Sequence, residues 1–159
     1  MCDYSLMTVP NRLAANGEEL IVHRFQEGSL GLASAFDLRL SLELRSCRPQ
    51  GWWSKLKEFW NPTPSTIQAV CIPPGSRLLI RDLPPFLQRE SGLQKDSGEA
   101  VFTQITAEEH KHRDAVCFRN GAVVLLQKLA EGQRVRVLSV SSEEEQQTLP
   151  EYSIVMPVR

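Results

Sequence analysis

The stretch Asp114–Leu129, DAVCFRNGAVVLLQKL, decides the fold class of this chain. Two apolar runs flank Asn120 and Gly121, a pair that accepts the positive φ angles of a tight hairpin turn. The next segment outward is GQRVRVLSV, where Val135 and Val137 alternate with arginines. Such alternation is typical of a strand with one buried and one solvated face. This part of the chain therefore predicts antiparallel β structure.

The most regular alternation lies earlier, in DLRLSLELR at residues 37–45. Every second residue from Leu38 to Leu44 is leucine and the residues between them are polar, which predicts a strand over Leu38–Leu44. Weaker strand patterns are ELIVHRF, IQAVCI, SRLLIRDL, AVFTQIT and the terminal EYSIVMPV. These short strands, with turn signals between most of them, predict a mainly β fold, either a sandwich or a partly open barrel.

The length of 159 residues suits one domain, so we expect residues 1–159 to form a single β unit. Two segments interrupt the β pattern. LPPFLQRESGL, residues 83–93, predicts one or two helical turns after its prolines. SSEEEQQTLPE, residues 141–151, predicts a solvated acidic loop.

Charge and composition exclude several classes of function. A net charge of −1 provides no field that would attract nucleic acid. No apolar run approaches the ~18 residues of a transmembrane helix, and MCDYSLMTVP lacks the features of a secretory signal. These observations predict a cytoplasmic protein. The four scattered cysteines are expected to be free thiols, with Cys71 and Cys117 as small core residues.

All three tryptophans lie in GWWSKLKEFW, residues 51–60. On a helix, five large apolar side chains fall within an arc of about 120°: Trp52, Trp53, Leu56, Phe59 and Trp60. Pro62 ends the run, because the residue before proline disfavours helical angles. The sequence thus predicts an amphipathic helix at about 51–61, inserted after the Leu38–Leu44 strand.

The aromatic face of this helix is expected to be buried against another surface. Burying five large side chains is worth roughly 7–15 kcal/mol as an upper estimate, and nine residues alone hold a helix only marginally in water. Three covers fit the pattern. The first is the protein's own core, the second is another protein or a second copy of this chain, and the third is a membrane surface. The few basic residues make the membrane the weakest of the three.

Few residues suggest chemistry. Cys2 could carry a free amine beside its thiol, and His110 and His112 would share one face of a strand, a spacing used by metal sites. His23 is the only other histidine. A small metal- or thiol-dependent protein built on His110, His112 and Cys2 is therefore the alternative reading. No catalytic residue set and no cofactor is indicated.

Two parts of the chain resemble a known group of sequences. MCDYSLMTVPNRLA at the start and HRDAVCFRNGAVVLLQKLAEGQRVRVL near the end are similar to uncharacterised small bacterial proteins that begin Met-Cys-Asp-Tyr-Ser-Leu. The resemblance implies a bacterial origin and a common scaffold formed by the two ends, but it implies no activity.

The function that the sequence predicts is binding rather than catalysis. We expect a non-enzymatic accessory protein that docks on a larger protein, or self-associates, through Trp52, Trp53, Leu56, Phe59 and Trp60.

Overall fold

The computed structural model describes residues 9–25, 28–46, 67–105 and 113–141. Within them the chain forms nine strands and two α-helices. The strands are β1 (Asn11–Leu13), β2 (Glu19–Arg24), β3 (Leu30–Ser34), β4 (Ala69–Cys71), β5 (Arg77–Ile80), β6 (Gly98–Gln104), β7 (Asp114–Phe118), β8 (Val123–Leu125) and β9 (Arg134–Ser139). The helices are α1 (Ala35–Ser46) and α2 (Pro85–Ser91), and a 3₁₀ turn spans Leu126–Lys128.

The nine strands form one mixed sheet in the order β1-β4-β3-β2-β9-β5-β6-β7-β8. The two edge strands are not joined to each other, so the sheet is open. The β1–β4 pair is parallel, whereas the other strand pairs among the described residues are antiparallel. The mainly β fold that the sequence predicts is confirmed.

The core lies on one face of this sheet. Alternate residues of the central strands are buried there: Leu20, Val22, Leu78, Ile80, Val135 and Val137. Leu87 of α2 joins the same cluster and is fully buried. A second, smaller cluster contains Phe25, Ala33, Ile67 and Ala69, and Leu38 of α1 packs against it.

The Asn120–Gly121 hairpin is present. Strand β7 pairs antiparallel with β8, with Cys117 opposite Val123. Gly121 has a φ of 84°, and its amide donates to the Phe118 carbonyl. The glycine is needed here because a side chain disfavours this left-handed backbone conformation.

The strand predicted over Leu38–Leu44 is wrong, because residues Ala35–Ser46 form helix α1. Leucine, arginine and glutamate are good helix formers, and the segment contains no β-branched residue. Asp37 also lies in the first turn, where a negative charge favours a helix. An alternating pattern places Leu38 and Leu42 four residues apart on one helix face and Leu40 and Leu44 on another. The period of two was therefore compatible with both structures.

The helical turns expected at residues 83–93 are confirmed as α2. The helix begins at Pro85 and ends before Gly92, whose φ is 65°. The amide of the next residue, Leu93, donates a hydrogen bond to the Gln88 carbonyl. The predicted strand EYSIVMPV and nearly all of the predicted acidic loop lie outside the described residues. In the described part of the chain, neither α-helix combines the length and apolar character that crossing a bilayer requires.

Candidate functional site

Helix α1 carries the most exposed group of large apolar side chains in the described structure. Phe36, Leu40 and Leu44 follow one another at intervals of four residues and so share one side of the helix. They are 71%, 44% and 56% exposed. We call this group the α1 stripe.

The α1 stripe faces away from the sheet. Leu38 packs against the smaller cluster, with Ile67 and Ala69. At 100° per residue, Leu40 lies about 200° from Leu38 around the helix, which is close to the opposite side. The helix therefore has apolar residues on two sides. On the Leu38 side, Leu38 is partly buried, whereas Leu42 is 63% exposed. Covering the exposed parts of the three stripe side chains would be worth roughly 3–5 kcal/mol.

A charged cleft lies at the start of the same helix. It has a volume of about 430 Å³, and its lining comprises Arg12, Glu18, Glu19, Ser34, Ala35, Phe36, Asp37 and Arg39. Positive and negative side chains are mixed in this lining, and among its described residues only Ser34 carries a hydroxyl. Ser34 is buried, and none of the described residues that line the cleft is a histidine that could activate it as a nucleophile.

Glu18 is the best-anchored charge in this cleft. Arg12 donates two hydrogen bonds to its carboxylate, one of 3.1 Å from Nη1 and a short one from Nη2. The Ala15 amide donates a third, at 3.0 Å. Burial by itself would raise the pKa of Glu18, but these donors and the hydroxyl of Ser34 outweigh it and hold the pKa below its usual value. The carboxylate is therefore charged near neutral pH and hydrogen-bonded to Arg12 and Ala15, which suits a structural role.

His23 is the one histidine within the described residues. Its ring lies edge-on to Phe25, with ring centroids 5.0 Å apart. Burial lowers the pKa of the imidazole, against the opposing effect of Glu131. Among the described residues, no three histidine, cysteine or acidic side chains are placed to bind a metal ion.

The cysteines differ from the expectation of four free thiols. Cys71 on β4 is buried but disulfide-bonded, so the prediction is wrong for this residue. Cys117 on β7 is a free, half-buried thiol. Sequence spacing cannot reveal such a bond, because a disulfide depends on which Cβ atoms the fold brings together.

The site residues predicted from the sequence lie outside the described residues. This applies to the proposed interaction face, Trp52, Trp53, Leu56, Phe59 and Trp60, and to the alternative metal or thiol group, His110, His112 and Cys2. The α1 stripe was missed. Its signal was present as Phe36, Leu40 and Leu44, but the alternation of leucines predicted a strand that included Leu40 and Leu44.

Comparison of the chain with protein-family models, with curated proteins and with solved structures finds no significant match in any of the three. The resemblance to small bacterial proteins therefore stays a prediction.

Proposed function

We propose that this chain is a non-enzymatic interaction protein that docks on a larger protein partner through the tryptophan face of residues 51–61. The observation that carries the proposal is the α1 stripe. Helix α1 ends at Ser46, so the segment with all three tryptophans begins only a few residues after a helix that already exposes an apolar side.

The chemistry of the tryptophan segment favours a protein over other binding partners. Large aromatic side chains dominate the binding energy of protein interfaces, because they bury much area at a small cost in side-chain entropy. Lys55, Lys57 and Glu58 leave the polar side with a net charge of only +1. An anionic membrane or a nucleic acid would require a stronger positive charge. We place this accessory protein in the cytoplasm, as the sequence predicts.

The proposal can be tested with paired substitutions. Trp53→Ser combined with Trp60→Ser removes two rings from the predicted face, and Phe86→Ser removes an aromatic ring from α2, where it is 56% exposed. We expect the Phe86→Ser protein to co-purify with the same stoichiometric partner as the unmodified chain, and the double tryptophan variant to lose it. Circular dichroism should show unchanged β structure in both variants.

Two other results would contradict the proposal. A partner that remains bound to the double tryptophan variant would show that another surface mediates binding. Loss of the β signal in that variant would show that the tryptophans belong to the core. Light scattering on the purified chain measures its mass in solution and would show whether the partner is a second copy of this chain.

A further inference from the structure

The face of the sheet opposite the core carries a group of arginines. Along β9, Val135 and Val137 are buried in the core, so the alternate residues Arg134 and Arg136 lie on the other face, where both are exposed. The same alternation places further arginines of β5 and of the residue after β7 on this face. We call the group the arginine face: Arg77, Arg81, Arg119, Arg134 and Arg136.

Most of the arginine face is already engaged in ion pairs. Four of its members contact a carboxylate, with nitrogen–oxygen distances of 2.6–3.9 Å: Arg134 with Asp82, Arg81 with Glu19, and both Arg77 and Arg119 with Glu99. Three carboxylates therefore serve five arginines. This surface carries an excess of two positive charges, although the net charge of the whole chain is −1.

Arg136 is the member without a partner. It forms no ion pair or side-chain hydrogen bond with any described residue. Glu19 lies opposite Arg136 on β2, but its carboxylate contacts Arg81. Arg134, two residues away on β9, and Arg81, diagonally across on β5, have backbone separations from Arg136 of about 7–8 Å. Since this is no more than the Debye length of about 8 Å, the positive charges act together on a ligand at Arg136.

Apolar side chains lie between these charges. Leu79 of β5 is half-buried and lies directly opposite Arg136. Val101 of β6 lies opposite Arg77 and is 38% exposed, and Leu138, two residues after Arg136, is 37% exposed. A molecule that binds Arg136 therefore also covers apolar surface.

This combination favours an acidic protein segment as the ligand. The guanidinium group binds a carboxylate through two parallel hydrogen bonds. A nucleic acid would instead require contacts to many phosphates, or aromatic side chains on which its bases stack. The outward-facing residues described on β5, β6 and β9 include no aromatic side chain. A segment whose carboxylates alternate with apolar side chains complements both the charge and the apolar residues.

From these observations we infer that the arginine face is a docking surface for an acidic segment of another protein, and that Arg136 binds a carboxylate of that segment. The inference goes beyond the proposed function, because it concerns a different surface from the tryptophan face and a partner of different chemistry. Arg136 is available for this role because no described contact of the fold depends on its side chain.

Fluorescence anisotropy with a labelled peptide tests the inference on the full-length chain. The probe is a fluorescein-labelled peptide in which glutamates alternate with leucines and serines, and the control peptide has glutamine in place of every glutamate. Arg136→Gln and Arg136→Glu change the docking surface. Arg89→Gln is the matched control, because Arg89 is also exposed but lies on α2, which packs on the core face through Leu87.

If the inference is correct, the unmodified chain binds the glutamate peptide and not the glutamine peptide, and the affinity falls as salt is added. Arg136→Gln lowers the affinity by roughly three- to tenfold, and Arg136→Glu lowers it further because like charges repel. Arg89→Gln leaves the affinity unchanged. The double tryptophan variant binds the peptide as the unmodified chain does, so this result is separate from the test of the proposed function.

Four results would overturn the inference. They are an absence of binding by the unmodified chain, an affinity that Arg136→Gln and Arg136→Glu leave unchanged, an equal loss in the Arg89→Gln protein, and loss of binding in the double tryptophan variant. A single-stranded DNA oligonucleotide that binds as tightly as the peptide would also overturn it, since any polyanion would then suffice. So would a dimer of the unmodified chain that Arg136→Glu dissociates in light scattering, because the occupant would then be a second copy.

Discussion

Glu18 illustrates how a single residue stabilises a turn and a strand edge together. Its carboxylate accepts hydrogen bonds from the Ala15 amide, in the turn between β1 and β2, and from Arg12 on the edge strand β1. The side chain is only 14% exposed, so these bonds are better shielded from water than those of an ordinary surface ion pair. The lowered pKa of Glu18 has a direct consequence for stability.

We predict that Glu18→Gln lowers the free energy of unfolding by about 1 kcal/mol at pH 7. A lowered folded-state pKa means that the stabilisation is present above the unfolded-state pKa, about 4.3, and is lost as the pH falls through the folded-state value. The difference between the two proteins should therefore shrink on acidification. Urea denaturation between pH 7 and pH 3 measures it.

The control for this prediction is Glu90→Gln. Glu90 pairs with Lys128, and both side chains are about half exposed. Such an exposed pair contributes between 0 and roughly 1 kcal/mol to the free energy of unfolding. A constant difference between the Glu18→Gln protein and the unmodified chain at all pH values would contradict the role given to the charged carboxylate.

At the level of secondary structure elements, the β7–β8 hairpin is also tied to helix α2. The Asn120 side chain donates a 2.6 Å hydrogen bond to the carbonyl of Ser91, the last residue of α2. The side-chain oxygen of Asn120, Oδ1, accepts a hydrogen bond from the Ala122 amide at 3.1 Å, inside the turn. One residue thus closes the hairpin and fixes the end of the helix.

We predict that Gly121→Ala destabilises the protein by about 1–2 kcal/mol, because alanine disfavours a φ of 84°. Open space surrounds the position where the new Cβ would lie, so the cost comes from the backbone and not from a clash. Gly121→Asn should cost less, since asparagine tolerates this conformation better. Thermal and urea unfolding measure both changes, and equal losses for the two variants would contradict the explanation.

On the scale of the whole molecule, β9 joins the two halves of the sheet. It pairs with β2, where Val135 lies opposite Leu20, and with β5, where Val137 lies opposite Leu78. Strands β1 to β4 lie on one side of it and β5 to β8 on the other. The last described strand of the chain is therefore the middle of the sheet.

We predict that Val137→Ala, at a fully buried position, lowers the free energy of unfolding by about 2 kcal/mol. Amide hydrogen exchange should speed up in β3 and in β7 by similar factors, because both halves depend on β9. Arg136→Ala, at the exposed neighbour on the same strand, should change stability by no more than about 0.5 kcal/mol. Faster amide exchange confined to one half of the sheet would contradict the conclusion that both halves depend on β9.

The sequence alone determined those features that depend on neighbouring residues. The hairpin at Asn120 and Gly121 was predictable because the positive φ at Gly121 restricts the residue type at that position. The helical turns after Pro84 and Pro85 and the alternation of Val135 and Val137 were predictable for the same local reason. Strand order was not, because alternation identifies faces and not neighbouring strands.

Only the tertiary structure decided the state of residues 35–46 and the surface they form. The segment from Leu38 to Leu44 is compatible with a strand by its alternation and with a helix by its residue types. In the folded protein it is a helix, and Leu38 packs against the cluster that contains Ile67 and Ala69. The exposed side of α1 follows from that choice, since a helix turns Leu40 and Leu44 away from the sheet, whereas a strand would have placed all four leucines on one face. Contacts between distant residues select among conformations that are equally compatible with the local sequence.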